Sequence, residues 1–190
     1  MDPAIWGSDT WKFLHVLSIN EKTSYKTLKT FFYNLRFMLP CKKCRDNYIK
    51  HYKELPFPNN KKNIKLWLIE LHNNVNKEIN KPIQNSKQIL DFWRTETVSY
   101  KLSKDIGIWT FILSSISVHP GKRYISEDIA KSHKFFWEHL DELLPKHLHD
   151  YNNIIDYLNK NKIPDTSYKT LYNKYVHKLF NIVNNKKIYN

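Results

Sequence analysis

The apolar residues Leu28, Phe31, Phe32, Leu35, Met38 and Leu39 recur three and four positions apart and run straight into Pro40-Cys41-Lys42-Lys43-Cys44-Arg45. That period is helical. The C-x-x-C therefore follows a helix, not the apolar strand that precedes the pair in a thioredoxin-like βαβ unit. Cys41 and Cys44 are the only two cysteines among 190 residues. A disulfide between such near neighbours closes a very short loop and restrains little of the unfolded chain. Zinc needs four ligands, and neither a second C-x-x-C nor a closely spaced histidine pair near Cys41 supplies them. A pair of inert buried thiols is the bland alternative, but Lys42, Lys43 and Arg45 flank these sulfurs with positive charge. A redox pair fits best. With Pro40 in the first turn of a helix, the helix N-terminus and the cations both favour thiolate, the attacking species in disulfide exchange.

Three glycines and eight prolines leave little material for tight turns, and a 41% hydrophobic, 15% aromatic composition can fill a core. An all-α chain is expected, as one ordinary domain or two small ones. The richest apolar stretch, Ile106 to Val118, is too short to span a bilayer. Met1-Asp2-Pro3-Ala4-Ile5-Trp6 lacks the basic-then-apolar layout of a signal peptide. A soluble protein of a cytosol-like compartment follows as the expectation, and there a catalytic disulfide is favoured over a structural one. The net charge of +13 is spread along the chain in segments such as Asn59-Asn60-Lys61-Lys62-Asn63. No single basic stripe carries interleaved aromatics, so the charge reads as a solvated surface and nucleic acid is not the expected partner. A basic helical binding module for nucleic acid or an acidic protein is the alternative function.

Helices are predicted from about Asp9 to Asn20, Ser24 to Met38, Cys41 to Tyr52 and Asn63 to Asn80, with a short fifth from Ser86 through Trp93. The second half repeats the landmarks of the first. Ile108-Trp109-Thr110-Phe111 matches Thr10-Trp11-Lys12-Phe13. Phe135-Phe136-Trp137, Leu140 and Leu143-Leu144-Pro145 match Phe31-Phe32-Tyr33, Leu35 and Met38-Leu39-Pro40. Tyr157 follows in the place of Tyr52, and Leu179 to Asn184 in the place of Leu71 to Asn76. The same order with modest insertions is what a diverged duplication leaves. The second copy lacks the chemistry: Lys146 and His149 replace Cys41 and Cys44, Phe180 replaces His72, and Leu113 replaces His15.

Trp11 and His15 lie one turn apart on one helical face, as do His72 and Asn76. Inward-facing His and Asn require hydrogen-bond partners, which a buried polar cofactor stacked on Trp11 would supply; each cluster alone is more often a satisfied core histidine or a helix cap. Taken with Trp6-Gly7-x-x-x-Trp11-x-x-Leu14-His15, Leu39-Pro40-Cys41-x-x-Cys44 and Leu71-His72-Asn73-x-Val75-Asn76, then Lys81-Pro82 and Trp93, the chain resembles the Erv/ALR family of FAD-linked sulfhydryl oxidases. The short forms of large DNA viruses are the most similar. The resemblance implies an Erv-type four-helix bundle with a short fifth helix over residues 1–97, then a degenerate pseudo-Erv helical bundle without cofactor over 98–190. It implies FAD held by Gly7, Trp11, His15, His72, Asn73, Val75, Asn76 and Lys81, with Cys44 against the isoalloxazine ring and Cys41 facing the substrate. Ser8 stands where many relatives carry Arg or Lys. No shuttle cysteine pair is present, so a thioredoxin-like or other dithiol protein would bring the electrons, and oxygen would take them as hydrogen peroxide. Because family members are typically homodimers, the second half is expected to fill the place of a second subunit as a pseudo-dimer within one chain. The host cytoplasm or the virion is the expected location.

Overall fold

The computed structural model describes residues 2–98, 111–112, 114–115, 126–145 and 151–185. Every regular element among them is helical. The first half holds α1 (Pro3–Ile19), α2 (Tyr25–Met38), α3 (Lys42–Glu54), α4 (Ile64–Glu78) and α5 (Ser86–Val98). The second holds α6 (Glu127–Glu138), the single turn α7 (Leu140–Leu143), α8 (Tyr151–Lys160) and α9 (Lys169–Asn185).

Two boundaries differ from expectation for local reasons. Helix α1 starts at Pro3, earlier than Asp9, because Asp2 accepts the Ala4 N–H at 2.9 Å and Pro3 takes the first helical position. Helix α5 is not short, since it runs thirteen residues; Asn85, not Ser86, caps it by accepting the Lys87 and Gln88 N–H groups. Helix α2 begins where predicted, with the Ser24 hydroxyl on the Thr27 N–H.

Helix α1 packs on α4, α2 on α3, α3 on α4, and α5 on both α1 and α4. Leu17, Leu28, Phe31, Phe32, Leu35, Ile64, Leu68 and Leu71 fill the centre. The Tyr48 hydroxyl donates to the Phe32 carbonyl at 2.7 Å and ties α3 to α2.

The core continues into the second half. Helix α2 packs along α6 and against α7. The buried residues Leu28, Phe31, Phe32, Leu35, Met38, Leu39 and Pro40 have buried counterparts in His133, Phe136, Trp137, Leu140, Leu143, Leu144 and Pro145, at one constant shift in residue number. The pairing of Phe135-Phe136-Trp137 with Phe31-Phe32-Tyr33 is thus one residue out, because Tyr33 is exposed while Trp137 is buried. Ring geometry repeats as well. Phe13 meets Phe31 edge-on at 6.1 Å and Phe111 meets Phe136 edge-on at 6.2 Å. The contact of Phe32 with Trp67, 5.2 Å and 78°, matches that of Trp137 with Tyr175, 5.6 Å and 89°. Across the junction Phe13 touches Phe111 at 5.1 Å and Phe31 touches Phe136 at 6.1 Å.

Polar contacts close the same junction. The Glu142 carboxylate accepts from the Ser24 N–H and from the Thr27 hydroxyl at 2.7 Å, placing negative charge at the α2 N-terminus. Asn20 donates to the Leu143 carbonyl at 2.8 Å. The landmarks Trp109, Leu113, Lys146 and His149 lie outside the described residues, as do the side chains of Phe180 and Val183. Among the described residues no helix is long and apolar enough to cross a membrane.

Candidate active site

Cys41 is the N-cap of α3, and its sulfur accepts the Cys44 N–H at 3.3 Å. Pro40 therefore precedes the helix instead of occupying its first turn. Both thiols are half-buried against the core, but they differ in proton affinity. Burial pushes Cys41 up, yet the Cys44 thiol and the Cys44 and Lys43 N–H groups outweigh it, and the net shift is downward. Burial pushes Cys44 up to about 12, helped by its hydrogen bond to Cys41 and the charge there. The negative charge of the reduced pair belongs on Cys41. Two of the three flanking cations are occupied elsewhere: Lys42 pairs with Asp46 at 2.6 Å and Arg45 donates to the Leu39 carbonyl at 2.7 Å. What lowers Cys41 is the helix terminus and its neighbouring thiol, a correction to the weight placed on the charges of Lys42, Lys43 and Arg45 from sequence.

Gly7, Trp11 and His15 are four residues apart on α1 and share one face. The structure brings His72 of α4 onto it. Trp11 and His72 stack at 3.9 Å with 6° between their planes, and His15 Nε2 lies 3.2 Å from His72 Nδ1. Trp93 of α5 stacks on His15 at 5.3 Å and 15°. Its place as a wall of this cluster is not among the site residues predicted from sequence; only its position in the downstream motif signals it. Burial, then the His72 charge, lowers His15 to about 3; burial, then Lys81, lowers His72 to about 4. Lys81 is thereby within electrostatic reach of the stack.

Asn73 and Asn76 serve the loop after α4. Asn73 donates to the Gln84 carbonyl at 3.0 Å and accepts the Gln84 N–H at 2.9 Å. Buried Asn76 donates to the Pro82 carbonyl at 3.2 Å, while its own carbonyl accepts the Lys81 N–H at 2.8 Å. Asn80 adopts a positive φ of 54° at the turn. Val75 is half-buried, and its carbonyl receives the Ile79 N–H at 3.1 Å. Two further observations mark room for a polar group. A Cβ on Gly7 would meet nothing within 4 Å, so packing within the protein does not explain a glycine that costs a helix interior about 1 kcal/mol. The buried atoms Trp6 Nε1, Thr10 Oγ1 and Gln84 Oε1 have no hydrogen-bond partner among the described residues. Among these residues no cluster of His, Cys, Asp and Glu is arranged to hold a metal ion.

The stacked histidines make acid lability an expected property. Their folded-state pKa values lie below the unfolded value near 6.5, so the unfolded chain binds more protons as pH falls through that value. Between pH 6.5 and 5 each histidine should withdraw on the order of 1–2 kcal/mol of stability, before most carboxylates titrate. Denaturant titrations of the ligand-free chain check this, and a midpoint constant over that window would contradict it.

Comparison with known proteins bears on this arrangement directly. The model of the Erv1 / Alr family matches residues 8–94, and a FAD-linked sulfhydryl oxidase of African swine fever virus is 30% identical over 115 residues, covering 55% of this chain and 96% of that protein. The chain belongs to the Erv1 / Alr family. A protein of Acanthamoeba polyphaga mimivirus, named a probable FAD-linked sulfhydryl oxidase, is 35% identical over 85 residues, which is 40% of this chain and 59% of its own length. The mitochondrial FAD-linked sulfhydryl oxidase erv1 of Schizosaccharomyces pombe is 29% identical over 92 residues, 44% of this chain and 50% of the yeast protein. The chain thus spans little more than half of the mimivirus relative and half of the yeast one. No solved structure matches it. For an Erv1 / Alr chain, the match contains both cysteines and the Trp11–His15–His72–Trp93 stack.

Proposed function

We propose that this chain is a FAD-dependent thiol oxidase whose Cys41–Cys44 pair takes two electrons from dithiol protein substrates. Family membership and the names of its viral and yeast relatives support the activity and the cofactor. The observation that carries the site is the unequal sulfur pair: a thiol at a helix N-cap with lowered pKa beside a second thiol with raised pKa.

The residues present fit FAD. Open space at Gly7, the orphaned polar atoms of Trp6, Thr10 and Gln84, and the Trp11–His72 stack, which a planar ring would extend, suit a planar, polar ligand. Gly7, Trp11, His15, His72, Val75 and Lys81 would hold it, with Lys81 supplying positive charge. Asn73 and Asn76 would act through the loop they pin. Cys44 would face the ring. When bound, FAD accepts two electrons and passes them to dioxygen, giving hydrogen peroxide.

The chain's own part is disulfide exchange. A substrate thiolate attacks the Cys41 sulfur of the disulfide, a mixed disulfide forms, and Cys44 leaves with the bonding pair. A second substrate thiolate then attacks the substrate sulfur of the mixed disulfide and releases Cys41 as thiolate. The lowered pKa of Cys41 makes it the better leaving group in that second step. Cys44, released as thiolate in the first step, takes up one of the two protons that the substrate thiols give up, and the other goes to solvent. Regenerating the disulfide requires Cys44 to give that proton up. A thioredoxin-like or other dithiol protein would bring the electrons to this pair. Residues 98–190 would serve as a built-in partner, a pseudo-dimer bearing no cofactor, a reading supported by the repeated burial and the self-matched contacts Phe13–Phe111 and Phe31–Phe136. The viral relatives favour the host cytoplasm or virion as its location.

The purified chain should be yellow, retain its visible absorption through gel filtration, and release FAD on denaturation. A folded, colourless chain that takes up no added FAD would leave the basic binding module as the surviving reading.

A further inference from the structure

Outside the sulfur pair and the aromatic stack, one set of titratable side chains is drawn together across the α3–α4 interface. Glu78 closes α4, and three residues of α3 converge on it: Asn47 Nδ2 at 3.1 Å, Lys50 Nζ at 3.3 Å and His51 Nε2 at 3.2 Å. His51 is buried, and its Nδ1 lies 3.7 Å from Glu54. Its ring sits in reach for charge pairing with Glu78 but out of line for a hydrogen bond. Slight burial would raise the Glu78 pKa, but Lys50 and His51 outweigh it and lower it.

A carboxylate in the last turn of a helix faces the negative end of the helix dipole and by itself disfavours α4. Burying an imidazole on α3 also costs free energy unless a partner meets it. The first of these costs is relieved in the register that brings Asn47 and Lys50 of α3 onto Glu78, with the His51 ring alongside at 3.2 Å. Asn47, Lys50 and His51 stand at i, i+3 and i+4, so they share a face of α3, and Cys44 lies one turn before Asn47 on the same stripe. Helix α4 is the one that carries His72, Asn73 and Asn76.

We infer that Glu78 is a positioning residue: its clasp on Asn47, Lys50 and His51 sets the rotation and axial register of α3 against α4, and so aims the Cys44 sulfur at the wall built on α4. This rests on the thiol oxidase reading. Nothing in the clasp touches the reacting atoms. Its effect is expected on the second half-reaction, in which the Cys41 thiolate and the Cys44 thiol together lose two electrons and the one proton held on Cys44 and re-form the disulfide, the electrons passing to FAD. A misplacement of about 1 Å can cost ~10²-fold in rate.

The test uses the full FAD-loaded chain with Glu78→Ala and Glu78→Gln. Iodoacetamide labelling of the reduced proteins, read by mass spectrometry, follows Cys41 and Cys44 separately. Anaerobic mixing with dithiothreitol follows bleaching of the flavin colour. Glu78→Ala should keep its FAD and its Cys41 labelling rate, label Cys44 several-fold faster, and bleach about 10–100-fold more slowly. Glu78→Gln should fall between, since the amide still accepts from Asn47 but carries no charge. Wild-type Cys44 labelling and bleaching in both variants would overturn the inference. So would loss of FAD from both with Cys44 labelling unchanged, which would assign the clasp to folding alone. A colourless wild-type chain would remove the oxidase reading itself, whereas a yellow, bleaching wild type beside unaltered variants removes only the clasp.

Discussion

Cys41→Ser and Cys44→Ser should each leave a yellow, folded chain whose oxidation of dithiols falls by on the order of 10³-fold or more, the scale expected when one member of a catalytic unit is lost. The double variant should be no worse than either single one, because neither sulfur completes the exchange alone. The two single variants should still differ in one respect. With Cys44 replaced, the half-buried Cys41 at its helix N-cap remains able to hold a substrate as a mixed disulfide. With Cys41 replaced, the contributions of Cys41 to the raised pKa of Cys44 are lost, but burial, the largest of its causes, still disfavours the Cys44 thiolate. Oxygen consumption with dithiothreitol measures the first effect, and trapping of a dithiol protein on non-reducing gels measures the second. Near wild-type oxygen uptake in either variant would show that this pair is not the reagent, and equal trapping by both would remove the division of labour.

The division between the sulfurs was only half legible in the sequence. The helical period ending at Leu39 and the spacing of Cys41 and Cys44 announce a redox pair at a helix start, and that start is where the structure has it. The charges of Lys42 and Arg45 are equally visible, but their partners Asp46 and the Leu39 carbonyl are settled only once the α3 turn is wound. Asn73 and Asn76 show the same limit. Their spacing marks one helix face, yet the loop carbonyls of Pro82 and Gln84 that engage them depend on a turn at Asn80 with positive φ. Trp93 lies far along the chain from His15, and only the packing of α5 on α1 brings the two rings to 5.3 Å. The stack of Trp11 on His72 is likewise tertiary, although α1 and α4 each display their half of it as an i,i+4 pair.

Removing the second half should cost the first its partner surface. In the full chain Phe13 and Phe31 are buried against Phe111 and Phe136, and the α2 N-terminus is met by Glu142. A chain shortened to residues 1–98 would carry those rings as an exposed apolar patch, the kind of surface that drives association. A second copy offers the same patch, and a two-fold contact needs only one self-complementary face. Residues 1–98 should therefore run as a dimer or aggregate by light scattering, while the full chain should run as a monomer. A substitution within the full chain tests the same junction without removing any of it. Phe136 is 1% exposed and touches Phe13, Phe31 and Phe111, so Phe136→Ala should lower stability by about 3–5 kcal/mol. It should lower the flavin-bearing half along with its own, because one core spans both. Urea denaturation followed by flavin release and by tryptophan fluorescence should then give a single transition that moves as a unit. Two separate transitions, with flavin release unmoved by Phe136→Ala, would mean that the halves fold independently; a monomeric 1–98 chain of undiminished stability would mean that the second half covers nothing the first needs covered.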